Sequence, residues 1–146
     1  PGGFLGFMRQ TVQRYAPLIA PAVISSRFAL VINALFLTLV LVAAIIAPAA
    51  PVFTLSVAGL VGLNGLGHVL GSVFLRRYVP GAGTGLLLYL PLCLLAYAAY
   101  LGDGVSVAAA LLSLAVGAGW NAIPVLAMVA RTHWSSRRSP DALSRL

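Results

Sequence analysis

Four side chains in this chain combine chemical capability with an unusual setting: Asn33, Asn64, His68 and Asn121 all sit inside long apolar runs. An imidazole can serve as a base, a proton carrier or a metal ligand. A carboxamide offers both donors and an acceptor, which suits it to orienting an imidazole or a ligand's polar end. His68 is therefore the candidate catalytic or metal-binding residue, with Asn64 as its catalytic partner and Asn33 in support. Asn64, Gly67, His68 and Gly71 recur at the spacing of one helical face. Gly67 and Gly71 also make a G-x-x-x-G pattern, which predicts close approach of a neighbouring backbone. Ser113, Gly117 and Asn121, spaced by four, form a second small and polar stripe. Pro124 and Pro91 cannot donate to the carbonyls of Trp120 and Leu87, which predicts kinks beside these residues.

Depth relates the four. At ~1.5 Å per helical residue, Asn33 lies ~9 Å from Arg27, His68 ~12 Å from Arg76, Asn121 ~15 Å from Arg131 and Asn64 ~18 Å from Arg76. Residues of three helices thus fall in one layer on one side of an apolar slab. The plainer reading is packing, because intramembrane Asn, Ser and Gly commonly join helices at about 0.6 kcal/mol per hydrogen bond. Arg76 and Arg77 read as topology determinants, with the alternative of holding an anionic group over the polar layer. His133 reads as a solvated interfacial residue, and Cys93 as a small buried hydrophobe. The apolar runs contain no carboxylate, and no serine or cysteine has a base beside it. One histidine is too few for a catalytic metal, which takes about three protein ligands.

The elements that must carry these residues follow from composition. Of 146 residues, 61% are hydrophobic and 8% charged, against roughly 45–50% and about 25% in an ordinary soluble domain. That leaves too little polar material to cover a globule, whereas a bilayer solvates apolar side chains directly and requires only internally paired backbone. An all-α, polytopic transmembrane helical bundle is expected, as a single membrane domain. Its four spans run at about 28–47, 53–75, 83–101 and 105–130, each near the ~20 residues a bilayer core requires. Ser25-Ser26 offers an N-cap for the first. That run is too long for the apolar region of a cleaved signal peptide. Residues 1–27 form an interfacial segment. Within it Phe4, Leu5, Met8, Val12 and Tyr15 oppose Arg9, Gln10, Gln13 and Arg14, predicting an amphipathic helix in the headgroup plane, broken by Pro17 and Pro21. Residues 131–146 form a basic cytoplasmic tail, with Trp134 at the interface and order expected to fade after about Ser136.

The nine arginines, with no lysine and two acids, give a net charge of +7. They alternate: Arg9, Arg14 and Arg27 precede the first span, Arg76 and Arg77 follow the second, and Arg131, Arg137, Arg138 and Arg145 follow the fourth. This positive-inside pattern predicts a multi-pass protein of the cell membrane with both ends cytoplasmic. The arginines lie between spans rather than interleaved with stacking aromatics, so lipid headgroups rather than nucleic acid are the expected partners.

Three segments carry a family resemblance: Pro1-Gly2-Gly3-Phe4, Asn64-Gly65-Leu66-Gly67-His68, and Arg77-Tyr78-Val79-Pro80-Gly81 followed by an apolar span. In order and spacing they resemble, over about residues 1 to 101, the integral membrane proteins named for an H-x-x-E-E motif. The resemblance implies a multi-helix membrane domain of no established function. His68 matches that family's downstream histidine and Asn64 the asparagine before it. The naming motif stands just upstream of the Pro-Gly-Gly-Phe segment in the family; the chain opens at Pro1 without an initiator methionine, so an upstream segment is expected. With that motif present, two imidazoles and two carboxylates on one side of the membrane would suit zinc or iron, or relay protons.

Three functions remain open at this point. One is a membrane-embedded enzyme, metal-dependent if the upstream motif is present, acting on a lipid or other hydrophobic small molecule. Another is a small-molecule or proton-coupled transporter that rearranges at Pro91 and Pro124. The third is a structural or assembly module whose Gly and Asn stripes pack helices.

Overall fold

The computed structural model describes residues 3–16, 19 and 24–138, all helix and connecting turns. Pro17, Pro21 and the tail from residue 139, with Asp141 and Arg145, lie outside the described residues, as do the side chains of Phe4, Tyr15, Arg137 and Arg138. Five helices follow one another. They are α1 (Phe4–Tyr15), α2 (Ser26–Ile46), α3 (Pro51–Phe74), α4 (Ala82–Gly102) and α5 (Val107–Arg138). The last four are long and apolar enough to cross a membrane. Their exposed faces require one. Ile45 is 78% and Leu87 79% exposed, among many large apolar side chains on these faces. Each such side chain left in water forgoes ~1.5–3 kcal/mol, so a handful would exceed a whole fold's stability of ~5–15 kcal/mol. The chain is a multi-pass membrane protein.

Local chemistry sets the helix ends. The Phe28 N–H donates to Ser25 Oγ at 3.2 Å, so the expected cap forms. Pro51 opens α3 at a position where its missing N–H is harmless. Ser106 Oγ accepts from the Ala109 N–H at the start of α5. Two helices close with the same bond pair. After α4, the N–H groups of Gly104 and Val105 return to the carbonyls of Leu101 and Tyr100; after α3, those of Arg76 and Arg77 return to Val73 and Ser72. This closure places one residue in left-handed backbone: Gly104 at φ 90 in the first case, Arg76 at φ 48 in the second.

The described residues form two compact units, one of residues 36–122 and one of those up to 35 together with those from 123 to 138. In the first, α3 is the central helix and glycines make its seams. A Cβ on Gly62 would lie 2.5 Å from Cys93 Sγ, and one on Gly65 3.0 Å from Gly85 Cα. A Cβ on Gly117 of α5 would lie 2.6 Å from both the Leu60 nitrogen and the Ser56 oxygen. Among the described residues, the predicted Gly67–Gly71 seam does not form. Nothing lies within 4 Å of a Cβ on Gly67, and Gly71 is in ordinary contact with Val79. The close approaches occur earlier on α3, because α4 is nearest where two glycines, Gly65 and Gly85, oppose each other. Pro91 leaves its mark as a π-helical turn over Gly85–Tyr89 just ahead of it. Helix α5 continues through Pro124.

In the second unit, Ile19, Ile24 and Met128 form a buried cluster covered by Leu5, Met8 and Val12 of α1. The apolar face of α1 is thus at least partly occupied by protein. Arg9 secures it, donating from its guanidinium to the Ile24 carbonyl at 3.1 and 3.0 Å, and Arg131 lies 5.5 Å over the Phe28 ring. Helix α5 also outruns the span ending near residue 130, since no glycine or proline stands between Pro124 and Pro140.

Candidate functional site

His68 lies in the last part of α3, where the chain reverses through Arg76–Gly81 into α4. The reversal packs against the imidazole: a Cβ on Gly81 would stand 3.2 Å from its Cγ and Nδ1. Gly81 has φ 96, so glycine is required there on two counts. The ring donates a hydrogen bond to the Pro80 carbonyl, the only backbone hydrogen-bonding group a proline has. Ser72 completes the hold, its Oγ accepting the Val79 N–H at 2.9 Å. The two segments of the resemblance, Asn64–His68 and Arg77–Gly81, therefore meet in space.

Asn64 is half-buried one turn before His68 on the same face, with the open position of Gly67 between them. Asn121 acts elsewhere on α3: its Nδ2 donates to the Leu60 carbonyl at 3.0 Å and to Gly117 at 3.1 Å. It is a tie between helices. Asn33 is exposed and donates to Ala29 of its own helix at 2.8 Å, within the other compact unit. Arg76 and Arg77 are both exposed on the reversal. The arrangement thus associates His68, Asn64 and the basic turn, while the bonds of Asn33 and Asn121 go to other groups.

A second polar cluster escaped sequence reasoning. The Tyr97 hydroxyl shares its one proton between Ser113 Oγ and the Leu55 carbonyl, each 3.1 Å away. Ser113 is fully buried and donates onward to Ala110 at 2.7 Å. Tyr100 likewise reaches the Ala47 carbonyl at 2.8 Å. The available signal was a pair of phenols within one apolar run; tyrosine reads as apolar until its hydroxyl needs a partner.

In a neutral imidazole one nitrogen donates and the other accepts. With the donor engaged by Pro80, the remaining nitrogen keeps a lone pair for a proton or a ligand. Zinc or iron would need more: among the described residues, no three His, Cys, Asp or Glu side chains come together. The described residues by themselves do not fit a metal.

An all-helical protein with four apolar helices and a histidine held beneath a basic reversal defines the class. The particular family follows from comparison: the chain matches, over residues 4–96, the model described as a protein of unknown function with HXXEE motif, and it belongs to that family. No glutamate occurs among its 146 residues. No curated protein and no solved structure matches the chain.

Proposed function

We propose that this protein is a membrane-embedded enzyme acting on a hydrophobic molecule, with His68 as proton acceptor and Asn64 orienting the polar end of the substrate. One observation carries the reading: the reversal at Gly81 packs against the His68 ring and the adjoining Pro80 carbonyl engages one imidazole nitrogen, leaving the other as an acceptor on the helical face that also carries Asn64. A carbonyl that fixes the tautomer is what a working histidine needs. The site lies in the cytoplasmic half of the cell membrane with both described ends cytoplasmic, a reading supported by the arginine distribution.

A second reading, a structural or assembly module, is favoured by the same bond, because His68 latches its own chain and Asn121 ties α5 to α3. Glutamine separates the two, since its amide can still donate to Pro80 but is not a base. Lipid extracts of cells producing wild type, His68→Gln and His68→Ala at matched membrane levels should differ, with a product seen only in wild type. A His68→Gln extract identical to wild type would eliminate imidazole chemistry and leave the structural module.

A further inference from the structure

The reversal after α3 combines three features that its latching role does not explain. First, Arg76 is the sole non-glycine residue at positive φ among the described residues, although the matching closure after α4 uses glycine. A side chain at that position opposes local stability, and a strained residue of this kind points to something the guanidinium does. Second, the turn is already rigid, held by Ser72, by the imidazole of His68 and by the Ala82 N–H on the Val79 carbonyl at 3.0 Å. The backbone presenting both arginines therefore loses little freedom on binding. Third, the flanking Phe74 and Tyr78 are 79% and 70% exposed, as suits side chains at a lipid–water boundary.

We propose that Arg76 and Arg77 bind the headgroup phosphate of an anionic membrane phospholipid, whose acyl chains lie against the exposed apolar surface around Phe74. Two cations on a fixed turn between two spans match one phosphate at the depth where headgroups reside, and neutral headgroups offer less charge complementarity. The site does not depend on chemistry at His68.

The test is native mass spectrometry of the full chain with phosphatidylglycerol or phosphatidylcholine. Wild type should retain phosphatidylglycerol preferentially. Arg76→Gly and Arg77→Gln should each weaken retention about five-fold and together about 25-fold, following the ~1 kcal/mol assigned to a basic residue near an anionic surface. Arg76→Gly places glycine where its φ is ordinary, so circular dichroism should report an unchanged helix content. Arg14→Gln, on α1, should leave retention unaltered. The proposal is overturned by equal retention of both lipids, by no change in the double variant, by an equal loss in Arg14→Gln, or by displacement of the lipid with inorganic phosphate.

Discussion

His68 shows how one side chain can be both fastened and available. Its ring packs against Gly81 and donates to Pro80, and both contacts depend on residue 81 having no Cβ. Gly81→Ala should therefore lower stability by ~1–2 kcal/mol from the left-handed backbone alone, with a further cost from crowding the imidazole. Thermal unfolding in detergent would measure it; a midpoint equal to wild type would mean that the ring does not pack there. His68 and Asn64 were legible in the sequence because polar groups are conspicuous in apolar runs. Their partner was not, since a proline carbonyl twelve positions away carries no compositional signal. Asn33, equally conspicuous, bonds within its own helix.

Among the elements, α3 is organised by where its backbone is approached. Gly117→Ala would bring a Cβ to 2.6 Å from two backbone atoms of α3, which cannot rotate aside. It should cost ~1–3 kcal/mol, as overpacking does. Gly67→Ala meets nothing within 4 Å and should be neutral or gain up to ~1 kcal/mol of helix propensity. Comparing the two melting points tests the seam, and a larger loss at Gly67 would contradict it. At the end of the same helix, Arg76→Gly should raise stability by ~1 kcal/mol through relief of the left-handed position. A lower melting point in lipid-free detergent would indicate that the arginine supports the fold itself. The G-x-x-x-G spacing identified α3 as a glycine helix but named the wrong pair. Spacing marks which residues share a face, and only the position of α4 determines which of them it touches.

For the whole molecule, the arginine alternation makes orientation testable. With Cys93, the single cysteine, replaced by serine, Ala49→Cys and Ser135→Cys lie at the α2–α3 turn and near the end of α5. A membrane-impermeant maleimide should label Ala49→Cys in intact cells and Ser135→Cys only after permeabilisation. The reverse outcome would invert the topology and move the His68 site to the opposite membrane half.

Composition, apolar run length and the helix breakers at residues 48–51, 80–81 and 102–104 were enough to specify a four-span helical membrane protein, because these properties depend on local chemistry and on the bilayer as solvent. The cap at Ser25 was legible for the same reason. The convergence of Asn64–His68 with Arg77–Gly81, the phenol of Tyr97 on Ser113 and the Gly65–Gly85 contact were not. Each joins groups whose separation is set by how one helix lies against another or how the chain reverses, and hydrogen bonds across such gaps are chosen by three-dimensional proximity that no residue spacing encodes.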